Sequence, residues 1–166
     1  MARLVLVGLP ATGKTSVARA VADAWHCVHV DTDALMSERL GCPAAQYLRL
    51  QGETAFRDEE LEALREALNS DAVVSTGGGI VTTLSARKLL ERERTYWLDC
   101  DVEVLMQRLG EDDRPLLTDD PREALERLRD QRVGWYREVS RERIDASGTL
   151  EEVTERVLAA AQKVEK

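Results

Sequence analysis

No two of the three cysteines, Cys27, Cys42 and Cys100, stand at the C-x-x-C spacing of a zinc or dithiol site. A scattered, odd set of thiols argues against a disulfide framework and fits a reducing compartment, where cysteine serves as a small apolar residue. No apolar run approaches the length that crosses a bilayer. The opening stretch MARLVLVGLP is apolar for only a few residues and lacks the cleavage pattern of a secretory leader, so the expected location is the cytoplasm, without a membrane partner. Positive charge is in deficit: 31 acidic against 23 basic side chains give a net charge of −8. That balance speaks against a surface that coats nucleic acid, but leaves room for a few arginines focused inside a cleft. Internal repeats and linker-like segments are also missing. With 166 residues, 43% hydrophobic and 33% charged, the chain reads as one globular domain over 1–166, monomeric by default.

What is present is an alternation of short apolar runs and amphipathic stretches. Arg3–Val7, Cys27–Val30, Ala72–Ser75 and Thr95–Asp99 read as strands, with a weaker fifth at Glu142–Asp145. Lys14–Trp25 carries Val17, Ala18, Val21, Ala22 and Trp25 at helical spacing. Further helices are expected over Ala34–Leu40, Pro43–Gln51, Thr54–Asn69, Leu84–Arg92, Val102–Leu109, Arg122–Ser140 and Thr149–Val164. The polar stretch Gly110–Pro121, with two prolines, breaks periodicity and reads as a mobile loop. Strand–helix alternation with doubly buried strands implies an α/β domain around a parallel sheet. Ligands in such sheets gather beyond the carboxyl ends of the strands.

The first strand runs into GLPATGKT (Gly8–Thr15), a full G-x-x-x-x-G-K-[ST] match that opens a helix. Backbone N–H groups of such a loop, with the positive end of the helix, form an anion nest. Lys14 would reach the β- and γ-phosphates, and the Thr15 hydroxyl suits Mg2+. Ala11 stands where relatives of this loop often carry glycine, which narrows the allowed dihedrals.

Other groups are ambiguous when taken singly. In VDTDAL, Asp31 and Asp33 are two apart and would share a face if the chain there is extended, which aims both carboxylates into one cleft. The competing reading of Asp33 is a helix cap. Arg57, in FRDEE, pairs at helical spacing with Glu60 or Glu53 if that face is solvated. Arg114, in DDRPLL, is either a loop arginine in water or a finger that closes over phosphates. Arg132, in QRVGWY, sits on a charged helix. In VVSTGGGIV, three glycines in a row, Gly77, Gly78 and Gly79, follow a strand. Such a run costs chain entropy unless backbone must come close to something.

The ordered set of phosphate loop, DTD, FRxxE, TGGG, RPLL and the RxxxY of Arg132–Tyr136 resembles the shikimate kinases from Arg3 to about Asp145. The resemblance implies a three-layer P-loop NTPase fold of the nucleoside-monophosphate-kinase type, with a five-stranded parallel sheet, helices on both faces and a mobile lid at about 110–121. It implies phosphoryl transfer from ATP to shikimate, a step of aromatic amino acid biosynthesis, with acceptor-binding helices at about 34–68. By the same resemblance, Ala11, Thr12, Gly13, Lys14, Thr15 and Ser16 hold ATP phosphates. Thr15 ligates Mg2+, with Asp31 near it through water. Asp33 binds ring hydroxyls and orients or deprotonates the attacking one, while Arg57 and Arg132 grip the carboxylate. Gly78 touches substrate between Gly77 and Gly79, the glycines leaving room for the ring. Arg114 covers the phosphates, and Arg108 stacks on adenine.

The sequence departs from that pattern at Ala44 and Leu48, where relatives carry a larger aliphatic and a phenylalanine, and at Gly134–Trp135, where a proline is usual before the tyrosine. These changes reshape the acceptor pocket without touching the phosphate machinery. Two alternatives therefore stand beside shikimate: another small polyhydroxy acid, such as gluconate or a shikimate analogue, and a nucleotide-binding regulator without turnover.

Overall fold

In a computed structural model, residues 1–109 and 120–163 are described. Within them the chain alternates strand and helix as its periodicities dictate. The order is β1 (Leu4–Val7), α1 (Lys14–Ala24), β2 (Val28–Asp31), α2 (Thr32–Leu40), α3 (Ala44–Gln51), α4 (Glu53–Leu68) and β3 (Ala72–Ser75). A 3₁₀ turn (Ile80–Thr82) follows, then α5 (Leu84–Leu90), β4 (Thr95–Asp99), α6 (Val102–Arg108), α7 (Pro121–Val139), β5 (Glu142–Asp145) and α8 (Leu150–Gln162).

The five strands form one parallel sheet in the order β2-β3-β1-β4-β5. Strand β1 lies at its centre, and its LVLV run is wholly buried. That burial explains why the strand shows no alternation of polar and apolar residues. The chain crosses over β1 on its way from β3 to β4, which leaves a crevice beyond the carboxyl ends of β1 and β3. Helices α1 and α8 pack on each other, while α4, α5 and α7 form a second contiguous group. The main apolar core joins the sheet to α1, α4, α5, α7 and α8. A second, much smaller cluster of Met36, Phe56 and Ala63 is buried among α2, α3 and α4.

Most elements lie where periodicity puts them, with ends shifted by a residue or two. One shift matters for function. Helix α2 begins at Thr32, two residues before the expected Ala34, because Asp31 rather than Asp33 is its cap. The Asp31 carboxylate accepts from the N–H groups of Asp33 and Ala34. The 3₁₀ turn after the glycines has no counterpart in the sequence reading. Of the stretch expected as a lid, residues 110–119 lie outside those described; Pro121 belongs instead to the first turn of α7, capped by Asp120.

Candidate active site

The phosphate loop is built by β1 ending at Val7 and α1 starting at Lys14. Gly13, at φ 89°, makes the left-handed step into the helix. Ala11 adopts φ 66°, so the loop holds a residue with a Cβ in the left-handed region, at a cost of roughly 1–2 kcal/mol. The Thr12 hydroxyl is buried and donates to the Leu9 carbonyl, so this side chain braces the loop from inside. Lys14 is buried as well. Its Nζ donates to the carbonyls of Gly8 and Leu9, each at 2.8 Å. Burial lowers its pKa to about 8, against the pull of Asp33 and Asp31.

Asp31 is the hub at the end of β2, which β3 separates from β1. One carboxylate oxygen caps α2; the other accepts from Thr15 Oγ1 at 3.0 Å and from Ser75 Oγ at 2.6 Å. Burial pushes the carboxyl up, but the hydrogen bonds from Ser75, Ala34 and Thr15 outweigh it and hold the pKa below the usual range. The donors facing a cation here, a threonine hydroxyl and a carboxylate, are hard oxygens that suit Mg2+. Among the described residues no cluster of three or more His, Cys, Asp or Glu could hold a metal alone. A cation would therefore complete its shell with phosphate and water, as Mg2+ does beside a nucleotide.

Asp33 sits in the first turn of α2, so the extended-chain argument that paired it with Asp31 does not apply. It nonetheless lines the same cleft, by way of the helix turn. Its side chain stays open to solvent at the cleft mouth, yet protein lies close around it. Burial, with the Asp31 charge behind it, raises the Asp33 pKa above the ordinary value, against Lys14 and Arg57. The cleft, about 460 Å³, runs from Lys14 and Thr15 past Asp31 and Asp33 to Gly77 and Gly78.

Besides any room left for a bound ring, the bare glycines let protein groups come close to the end of β3. A Cβ on Gly77 would lie 2.7 Å from an Asp33 carboxylate oxygen. One on Gly78 would lie 2.9 Å from the Pro10 ring, and one on Gly79 would lie 2.6 Å from the Arg57 guanidinium. Each glycine thus lets a different wall of the site pack onto the end of β3.

The two arginines converge there. Arg132, buried on α7, donates to the Gly78 carbonyl at 3.0 Å, and the Tyr136 hydroxyl donates to the same oxygen at 2.6 Å. Although its helix is charged, Arg132 thus points inward rather than into solvent. Arg57, on α4, presses against Gly79 and over the Phe56 ring at 5.3 Å. It also makes both helical pairs open to it, with the buried Glu60 at 2.8 Å and Glu53 at 3.7 Å. Burial raises the Glu60 carboxyl, resisted by Arg57. The Nε atoms of Arg57 and Arg132 are buried without a hydrogen-bond partner among the described residues.

Arg108, exposed at the end of α6, donates to the carbonyls of Thr12, Ala146 and Gly148. It walls a second cleft of about 190 Å³, behind the phosphate loop beside Gly13, Ser16 and Thr149. Arg114 lies outside the described residues. Ser75, Glu60 and Tyr136 were not singled out as site residues from sequence. Tyr136 and Glu60 stand in the RxxxY and FRxxE spacings, and Ser75 faces Asp31 across the β2–β3 pairing. By contrast, Asp99 at the end of β4 is a buried anchor that takes Arg129 of α7 and Arg143 of β5.

Comparison with known proteins agrees with this geometry. The shikimate kinase family model matches residues 10–162. The chain is 41% identical over 140 residues to a shikimate kinase of Corynebacterium jeikeium strain K411, covering 83% of this chain and 76% of the relative. It is 32% identical over 163 residues to one of Enterococcus faecalis strain V583, covering 95% and 97%. Among solved structures, the Acinetobacter baumannii shikimate kinase in complex with shikimate superposes with a TM-score of 0.91 at 30% identity, covering 96% of this chain and 92% of that one.

Proposed function

The chain belongs to the shikimate kinase family, and from that premise we propose that it transfers the γ-phosphoryl group of ATP to a ring hydroxyl of shikimate, giving shikimate 3-phosphate and ADP. The carrying observation is that Arg57 and Arg132 come to the adjacent residues Gly79 and Gly78, just past the Gly77–Asp33 contact, at the far end of the cleft whose lining runs from Lys14 to Gly78. A carboxylate held by the two guanidinium groups places its ring against Asp33, with the phosphate loop beyond. Charge-assisted, forked hydrogen bonds of this kind fix orientation as well as position.

The roles follow from the chemistry. Backbone N–H groups from Ala11 to Ser16 cradle the phosphates, and Lys14 leaves its loop carbonyls for the β- and γ-oxygens. Mg2+, when bound, neutralises charge on those oxygens; Thr15 and Asp31 would hold it, Asp31 through water. Asp33 accepts a hydrogen bond from the attacking hydroxyl, and its raised pKa suits a group that takes up the proton as the new bond forms. Arg114 would close over the transferring group, and Arg108 would lie against adenine in the smaller cleft. Phosphoryl transfer asks for positioning and charge neutralisation, which these groups supply. No described helix is long and apolar enough to cross a membrane; we place the enzyme in the cytoplasm, as a monomer.

An ADP-release assay over a panel of hydroxy acids tests the substrate. Turnover should be high with shikimate, and low with gluconate or the shikimate methyl ester, which lacks the carboxylate charge. Equal rates with acid and ester would remove the arginine clamp from the mechanism.

Gly79→Ala tests the clamp from the backbone side. The new methyl meets the far end of a flexible side chain, so the fold should survive while Arg57 is pushed aside. Losing a charged hydrogen bond worth about 1.5–3 kcal/mol should raise KM for shikimate tenfold or more. KM for ATP should stay within a factor of two; a rise in that instead would contradict the assignment.

A further inference from the structure

Strand β2 is the edge of the sheet, and its residue His29 lies two positions before Asp31, on the same face. The register pairs His29 with Val73 and Asp31 with Ser75. The half-buried imidazole therefore leans forward along that face, and its Nε2 lies 2.8 Å from Ser75 Oγ. Ser75 is fully buried, and its Oγ is also 2.6 Å from Asp31 Oδ2.

A serine hydroxyl has one proton to give. The Asp31 carboxylate can only accept, and it already accepts from Thr15 on the same oxygen and from two backbone N–H groups on the other. A Ser75 proton turned towards the imidazole would leave two oxygen lone pairs facing each other at 2.6 Å. The Ser75 proton must therefore point at Asp31, and the imidazole must donate through Nε2–H. We propose that His29 is a positioning residue: by donating to Ser75 it locks the serine rotor onto Asp31 and so holds that carboxylate in the orientation that receives the nucleotide-bound Mg2+. The inference rests on the kinase reading above and on Asp31 serving the metal. It holds for the neutral Nε2–H tautomer and for the doubly protonated ring alike, since both carry the donor.

The arrangement resembles an outer-shell partner of a metal ligand, moved one bond further out. Removing such partners typically weakens metal binding by about 10–100-fold. Ser75→Ala is expected at the lower end of that range, and His29→Phe, acting through the serine, at about three- to tenfold.

The test separates this role from mere packing. Titration calorimetry of ADP with and without Mg2+ gives the factor by which the metal tightens the nucleotide. In His29→Phe that factor should fall about three- to tenfold, while metal-free ADP affinity and KM for shikimate stay at wild-type values. His29→Gln, whose side-chain amide can donate to Ser75 in the same direction, should recover most of the loss. In a Ser75→Ala background, His29→Phe should add nothing, because the route between them is gone. Independently of any variant, long-range ¹H–¹⁵N spectra of the wild-type protein should show the His29 ring protonated at Nε2. A ring protonated only at Nδ1 would overturn the proposal, as would an unchanged Mg2+ factor in His29→Phe. If Mg2+ left ADP affinity unchanged in the wild type, the metal assignment itself would fall, and this inference with it.

Discussion

Lys14→Met is expected to abolish useful turnover and, at neutral pH, to make the ligand-free protein more stable. The first half follows from charge. Removing a buried cation that would reach the phosphates should cost about 10²–10³-fold in kcat or more. The second half follows from the pKa of about 8, against the ordinary 10.5, which burial imposes on this amine. The unfolded chain binds the proton more tightly than the folded one. The resulting penalty, about 3 kcal/mol, is fully present below pH 8 and relieved as pH rises towards 10.5. Methionine removes the penalty but also the two hydrogen bonds to the Gly8 and Leu9 carbonyls, each worth about 1 kcal/mol. A net gain of about 1–2 kcal/mol should raise Tm by a few degrees at pH 7. The gain should shrink at pH 9.5. A variant less stable than wild type at both pH values would refute the account. The same pKa governs nucleotide binding: bound phosphate favours the charged amine, so wild-type ATP affinity should fall by up to tenfold per pH unit above 8, and Lys14→Met should lose that slope.

Asp33→Asn should lower kcat by about 10²–10⁴-fold while leaving ATP affinity near its wild-type value. The amide matches the carboxylate in shape, so the packing against Gly77 survives. What disappears is the acceptor for the hydroxyl proton. In the wild type, the raised pKa of Asp33 should set the acid limb of the pH profile. Turnover is lost as pH falls through that value, and the midpoint should lie above the ordinary 3.8 of an aspartate. Residual activity in the variant should lack this limb. ATP affinity measured by displacement of a fluorescent nucleotide should not move; a fall matching the loss of kcat would strip Asp33 of its acceptor-side role.

The phosphate loop was legible because its chemistry is local: a strand, a bare turn and a helix start within eight residues. The strands were legible for the same reason, since doubly buried β1 and β3 are short apolar runs ended by glycine or serine-threonine. The DTD segment was misread in its mechanism, because capping by Asp31 starts the helix at Thr32, and strand periodicity stops where the helix begins. Burial of Arg132 could not be read from its own helix, whose neighbouring residues are largely charged. Its environment comes from Gly78, 54 residues away in sequence. The glycines at 77–79 stood out in sequence, but the protein groups packed on them did not, because Asp33, Pro10 and Arg57 come from α2, the phosphate loop and α4. Ser75 passed for an ordinary strand end, because only the β2–β3 register brings it to Asp31.

The small cluster of Met36, Phe56 and Ala63 carries a final implication. The segment from α2 into α4 is knit by three buried apolar side chains of its own, whereas the sheet and its flanking helices share a far larger interior. Breathing of this segment is thus priced separately from global unfolding. Loosening of a few side chains around Phe56 would then open this segment to a hydroxy acid without disturbing β1, which carries the phosphate loop.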